Sequence, residues 1–300
     1  MTAMKIKTSR SYKVFNACNI IFLLLLSLSF LLPMITVVSG SIVGQQERLE
    51  RGAVILIPHT IDLSGYRILL SKGSAIYPAY RNTLFLITVG TFLNLMVTSM
   101  MAYTLSKKFL PGRTAMITTV FITMLFGGGL VPTYLLVNAL GLIDSLWALI
   151  LPSLVSAWNM LIMRNFFYSI PESLEESALL DGATPFSVFL KIILPLSKPV
   201  LATIGMFYAV GHWNAWFPGV IYINSTDKLP VQNIMRNMIA LYSAADINPE
   251  AMNDERYLYN PPIESLQMAT IVVGTLPILV IYPFVQKYFV KGIMIGSIKG

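Results

Sequence analysis

Six long blocks of apolar positions run through the chain, at about residues 20–38, 82–105, 114–137, 145–163, 200–223 and 266–289. Within them apolar residues follow one another without the strict alternation of a barrel strand, so they predict helices. At 1.5 Å per residue, each block is long enough to cross about 30 Å of hydrocarbon. The expected fold is an all-α membrane protein of six transmembrane helices. Helix breakers punctuate the blocks: Gly127, Gly128 and Gly129 with Pro132, then Pro152, Pro218, Pro277 and Pro283. In a membrane they are tolerated where neighbouring helices or a wet cavity satisfy the freed backbone groups, which predicts a packed, mobile bundle. The first block is longer than the apolar region of a signal peptide, and more membrane segments follow it. It therefore reads as an uncleaved span, although Val37-Val38-Ser39-Gly40 resembles a cleavage sequence.

Composition supports lipid as the solvent. Hydrophobic residues make up 55% of the chain and charged residues 12%, against about 25% charged in a soluble domain. The net charge of +7 lies between the apolar blocks rather than on an aromatic-laced basic stripe, which argues against a nucleic-acid partner. Basic residues near the N-terminus, at Lys107, Lys108 and Arg113, at Arg164, Lys191 and Lys198, and at Lys287, Lys291 and Lys299 fall on one side if all six blocks span. The positive-inside rule makes that side the cytoplasm and puts both termini there. Residues 1–19 then form a cytoplasmic segment, 20–292 the transmembrane domain and 293–300 a cytoplasmic tail. Outer loops fall at 39–81 and 224–265. The first outer loop is a poor fit, because it carries Arg48, Arg51, Arg67, Lys72 and Arg81, offset only in part by Glu47, Glu50 and Asp62. The single Cys18 excludes an internal disulfide and reads as a small buried apolar residue.

The loop at about 164–199, between the fourth and fifth blocks, has an unusual pattern. Pro171 and Glu172 open a helix, with acids in the first turn favoured by the helix dipole, and Gly182 is placed to end it. A second short helix is expected from Pro185 to Leu194, stopping before Pro195. Small and apolar residues beside acids suit a plug for a groove in another protein. The same pattern also suits an amphipathic loop on the bilayer surface.

Glu176-Ser177-Ala178, then Asp181-Gly182, then Ile192, Leu194 and Pro195 resemble the EAA loop of ABC importer permeases, with Ser177 in place of the first Ala. Tyr80 to Leu84, Phe126 to Tyr134, Gly211 to Asn214 and Gln286 to Gly292 resemble the carbohydrate-uptake subfamily, the LplC-like and MalG-like permeases in particular. The resemblance implies a type I importer bundle in a bacterial cytoplasmic membrane that pairs with a second, LplB-like permease. It also implies two ATPase subunits docked on the EAA loops and an extracytoplasmic binding protein that delivers sugar, with an oligosaccharide or polysaccharide fragment favoured. Glu176, Ser177, Ala178, Asp181 and Gly182 would sit in the coupling helix, and Ile192, Leu194 and Pro195 in the turn that follows.

The chain has no G-x-x-x-x-G-K-[ST] run, so it lacks that phosphate cradle. No cofactor is expected on this chain, and the family implies that ATP and Mg²⁺ belong to the partner ATPase. Sugar contacts are expected from aromatic and amide side chains in the blocks: Tyr208, His212, Trp213, Asn214 and Trp216, with Asn159 and Tyr134 as further candidates and Trp158 and Asn138 beside them. An alternative for this group is interhelical hydrogen bonding and an interfacial aromatic belt. Asp246, Asn248 and Glu250 alternate as calcium ligands do, but the loop lacks the glycine and closing acid of such a site, and no metal is expected. His59 has no visible partner and reads as solvated or docked on another protein. A gradient-driven transporter would need intramembrane acids, and the blocks contain almost none. A membrane enzyme would need a nucleophile–base pair or a metal cluster, and His59 and His212 are the only histidines.

Overall fold

The computed structural model describes residues 9–52, 54–247 and 263–297. In chain order its helices are α1 (Arg10–Gly40), α2 (Gln45–Arg51), α3 (Ser64–Leu69), α4 (Ile76–Phe85), α5 (Thr91–Ser106), α6 (Arg113–Leu125), α7 (Leu130–Ala139) and α8 (Ala157–Tyr168). There follow α9 (Glu172–Leu180), α10 (Pro185–Val188), α11 (Leu194–Leu196), α12 (Lys198–Trp213), α13 (Phe217–Tyr222), α14 (Val231–Ile247) and α15 (Ile263–Ser297). A π-helical turn at Leu86–Gly90 joins α4 to α5, and another at Phe189–Ile193 joins α10 to α11.

Among the described residues, three helical stretches are long and apolar enough to cross a membrane, and up to six if each bent pair counts as one span. Two of the bends fall at predicted breakers. Arg113–Leu125 and Leu130–Ala139 meet at 112° across the triple glycine, and Leu146–Ser153 and Ala157–Tyr168 meet at 51° just after Pro152. Two expected boundaries differ. The fifth block is not one helix, since α12 ends at Trp213 and α13 starts at Phe217. The helix after Gly182 does not stop before Pro195. The π turn at Phe189–Ile193 widens the ladder and carries the helix through Pro195 into α11, because a proline in a helix interior removes one i→i−4 bond and crowds the preceding turn.

The chain divides into two compact units, residues 1–72 with 238–275, and residues 73–237 with 276–300. In the first, α1 begins at an N-cap, where Ser9 Oγ accepts from Tyr12 N at 3.2 Å. Its mid-helix hydroxyls return to the backbone: Ser27 to Leu23 O and Thr36 to Leu32 O. Polar groups are thereby satisfied without water. Most of α1 is exposed on all faces, Cys18 included. The expectation of a buried cysteine fails because, among the described residues, nothing covers this part of α1.

At its far end α1 is packed. Arg48 Nη2 donates to Gly40 O at 2.9 Å and to Ser265 Oγ at 3.0 Å, and Ser265 Oγ donates to Val43 O. Glu47 is 7% exposed. Its carboxylate accepts from the backbone N–H groups of His59 and Thr60, from the Thr60 hydroxyl and from Arg51. These bonds, the backbone ones foremost, lower its pKa to about 2. Two of the five basic residues that fit the topology poorly are thus held inside a folded segment instead of forming a free positive loop.

The second unit has a core in which Ala102 and Leu105 of α5, Met160, Met163 and Phe167 of α8, Val188 and Ile193 near α10, and Ile204 of α12 are buried together. This core puts the end of α5, the end of α8 and the start of α12 side by side under the α9 segment.

Candidate functional site

The α9 segment is built as a platform. Glu172 and Glu175 lie in its first turn, where they complement the positive end of the helix dipole. Both also reach the turn between α5 and α6. Glu175 pairs with Lys107 and accepts from Tyr103 Oη at 3.0 Å, and Glu172 pairs with Lys108 at 3.0 Å. The Glu172 carboxylate holds the Lys108 ammonium above its usual range. Tyr103 in turn packs on Phe189, with ring centroids 5.1 Å apart. Acids at the start of α9 therefore fasten it to the membrane bundle.

The other end is closed by a glycine cap. Gly182 has φ +82°, and its N–H donates to Leu179 O while Ala183 N–H donates to Ala178 O, each at 3.0 Å. This is the Schellman pairing, which needs a left-handed residue after the helix and here sets Ala178 against Ala183. Both alanines pack on the core, as do Ile192 and Leu194 beyond them. Of the residues expected to couple, Glu176, Ser177, Asp181, Gly182 and Pro195 are exposed, together with Leu174, Leu179, Leu180 and Phe186. α9 thus has one face pinned to the bundle and one apolar face with acids open to a partner.

The candidate pathway residues separate into two groups. Tyr208 and His212 are buried, and His212 is 6% exposed. The hydroxyls of Tyr208 and Thr98 lie 2.8 Å apart, and Tyr208 Oη accepts from Ser156 N at 3.0 Å. His212 Nε2 faces Asn94 Oδ1 at 2.7 Å, while Asn94 Nδ2 donates to Ser153 O and Leu154 O. The imidazole also lies against Gly90 at the end of the first π turn, where a Cβ would meet Nε2 at 2.6 Å. Trp213 is buried beside Tyr80, and Asn159 is buried near the start of α8. Tyr208 and His212 thus join α12 to α5, and Tyr208 also reaches the N-cap of α8.

The second group faces outward. Asn214 is exposed, with its amide on Val210 O, and Trp158 is exposed on α8. Tyr134 stacks on Tyr222, with centroids 6.3 Å apart and planes 13° from parallel. Trp216, 42% exposed, lies in the break between α12 and α13, with Phe217 against it edge-on. The guanidinium of Arg236 on α14 stands 4.9 Å from the Trp216 ring, and Asn233 Nδ2 donates to Trp216 O at 2.8 Å. Sequence reasoning missed Arg236. Its apolar partner lies twenty positions back, across an unpredicted helix break, so spacing gave no signal.

Polar locks border this end of the unit. Asp144 accepts from the N–H groups of Asn224 and Ser225, from the Ser225 hydroxyl and from Lys228 Nζ. The Lys228 bond first, then those of Ser225, hold its carboxyl well below the usual range. Asn82 Nδ2 donates to Asp227 O and Leu229 O, and Thr83 Oγ1 accepts from Val231 N. Among the described residues no group of three His, Cys, Asp or Glu could hold a metal. Of the calcium-like run, Asn248 and Glu250 lie outside the described residues.

Known proteins match the chain over nearly its whole length. The polygalacturonan/rhamnogalacturonan transport system permease protein YtcP of Bacillus subtilis (strain 168) is 42% identical, over 93% of this chain and 96% of its own. Protein LplC of the same organism is 40% identical over 97% of each chain. A solved bacterial ABC transporter involved in the import of the acidic polysaccharide alginate contains a chain that superposes with a TM-score of 0.86 at 33% identity, covering 95% of this chain and 100% of that one. The family model for the inner membrane component of binding-protein-dependent transport systems matches residues 8–295. The helical fold agrees with that match, and the chain belongs to the family of binding-protein-dependent transport system inner membrane components.

Proposed function

We propose that this chain is one of two permeases enclosing the pathway of an ATP-driven saccharide importer, and that α9 is the helix on which its ATPase partner acts. The observation that carries the reading is the double fastening of α9. Glu172 and Glu175 tie its start to α5 and the turn after it, and the Gly182 cap sets its end against the core. A push on the open face of α9 is then transmitted to α5, α8 and α12 as a rigid displacement, which is how nucleotide binding in a partner can bias alternating access. ATP and Mg²⁺ bind to the ATPase, an extracytoplasmic binding protein delivers the cargo, and both chain termini lie in the cytoplasm with α9.

A narrower reading concerns the cargo. Arg236 over Trp216 offers a cation beside an exposed aromatic face, and among the described residues no carboxylate pairs with it. A sugar ring stacked on an indole with its carboxylate on a guanidinium fits that arrangement. The named cargoes of the relatives above include acidic polysaccharides, so the reading is an acidic oligosaccharide.

The test is co-expression with the second permease and the ATPase, purification through a tag on this chain, and ATP hydrolysis in nanodiscs with binding protein present. Wild-type chain should bring down an ATPase whose rate rises with binding protein and an oligogalacturonide, and Gly182→Val should lose that rise. Intact extraction without any bound ATPase would refute the role of α9. An equal response to the methyl-esterified oligogalacturonide would refute the acidic cargo alone.

A further inference from the structure

Three cations gather round one aromatic ring where α5, α6 and α8 meet. From the centroid of Tyr168, Lys108 Nζ is 5.5 Å away, the Arg113 guanidinium carbon 5.4 Å and the Arg164 guanidinium carbon 5.6 Å. The two arginines also share an acceptor. Arg113 Nε and Arg164 Nε each donate to Leu105 O at 3.1 Å. One carbonyl therefore fixes two like charges side by side, which is repulsive unless an anion joins them.

The chain supplies little to join them. Glu172 is paired with Lys108, and among the described residues no carboxylate pairs with Arg113 or Arg164. Arg164 gives one further N–H to Asn165 Oδ1. The remaining guanidinium donors of both arginines have no protein acceptor among the described residues. Paired guanidiniums with free forks match phosphate oxygens better than a compact ammonium does. The surroundings suit lipid more than a dissolved ion. Tyr168 is 49% exposed, and the turn between Lys108 and Arg113 carries Phe109 at 84% exposure, an apolar ring at the membrane end of three helices where acyl chains begin.

We propose that Arg113 and Arg164, with Lys108 at the rim, form a binding site for the phosphate of an anionic phospholipid headgroup, with Phe109 among its acyl chains. Basic pockets between transmembrane helices take such headgroups. The site adjoins the fastening of α9, because Lys108 and Lys107 on the same turn hold Glu172 and Glu175. A bound headgroup would neutralise the arginine pair and steady the turn that carries α9. The inference does not depend on the cargo or on which ATPase docks.

The experiment uses the full chain in its purified assembly. Native mass spectrometry in detergent, with phosphatidylglycerol and phosphatidylcholine added in equal amounts, should show phosphatidylglycerol retained preferentially on wild type. In nanodiscs, raising the phosphatidylglycerol fraction should raise the thermal transition. The double variant Arg113→Gln with Arg164→Gln should weaken retention about tenfold, a change of about 1.4 kcal/mol. Arg113→Lys, which keeps charge but loses the fork, should fall between. Lys13→Gln on α1 should change nothing. Equal retention of the two lipids by wild type would overturn the proposal without reference to any variant. So would a Lys13→Gln loss as large as that of the double variant, since surface charge would then suffice. Stabilisation by millimolar inorganic phosphate with no lipid retained would overturn the assignment to lipid and leave a free anion as the occupant.

Discussion

His212 on α12 and Asn94 on α5 face each other at 2.7 Å, and the other end of the amide donates to the carbonyls of Ser153 and Leu154 at the break before α8. Because Asn94 Nδ2 is the group that reaches the two carbonyls, its Oδ1 is left as acceptor. His212 must then carry its proton on Nε2. One amide thus joins three helices and caps backbone left unpaired by a bend.

Replacing Asn94 with Ala removes all three bonds and leaves a buried imidazole N–H and two carbonyls unmatched. Interhelical bonds in membranes average about 0.6 kcal/mol and reach about 1.7, so a loss of about 1–3 kcal/mol is expected. Unfolding in detergent micelles followed by denaturant titration would measure it. A variant as stable as wild type would show that the contact is incidental.

Gly182 sits at φ +82°, yet a Cβ there would meet nothing within 4 Å. The constraint is backbone conformation alone. Gly182→Asn, which tolerates the left-handed region, should keep ATPase co-purification near wild type. Gly182→Val should lose most of it, since an L-residue costs about 1–2 kcal/mol there and a β-branched one more. Equal behaviour of the two variants would point to a direct contact of residue 182 with the partner.

The Lys107–Glu175 pair is largely covered, so reversing one charge should matter more than at an exposed pair. Lys107→Glu alone and Glu175→Lys alone should each uncouple ATP hydrolysis from the binding protein, and the double exchange should restore part of the response. A double-mutant cycle read in stimulated ATPase rate checks this. Additive losses with no restoration would mean that the pair does not transmit.

Glu47 has a depressed pKa, about 2, against about 4.3 for a free glutamate. A carboxyl lowered on folding contributes stability that is complete above the unfolded value and fades as pH falls toward the folded one. Hydrogen-exchange labelling of the 44–62 segment after exposure to graded pH should show it closed down to about pH 4.5 and opening between there and about pH 2. Glu47→Gln should open the segment at neutral pH and flatten the profile.

Where a signal was local in the chain, it was legible. The apolar blocks gave the all-helical, membrane-crossing class, and Glu172 and Gly182 gave both ends of α9, because capping and dipole effects act within one turn. The EAA pattern gave the family. The fates of Tyr208 and His212 were not legible, because periodicity places a polar residue on a helix face without saying which helix it meets. Arg48 and Arg51 looked like misplaced outer charges, since their acceptors, Gly40 O, Ser265 and Glu47, become neighbours only on folding. Pro195 looked like a stop because a π turn that absorbs a proline has no simple sequence mark.

The most direct measurement is uptake of a labelled oligogalacturonide by proteoliposomes holding the complete assembly, with binding protein outside and ATP or a proton gradient as the alternative energy source. Uptake that requires ATP and binding protein, ignores the gradient and disappears with Gly182→Val is the predicted result. Uptake driven by the gradient, or by this chain without an ATPase, would contradict the account.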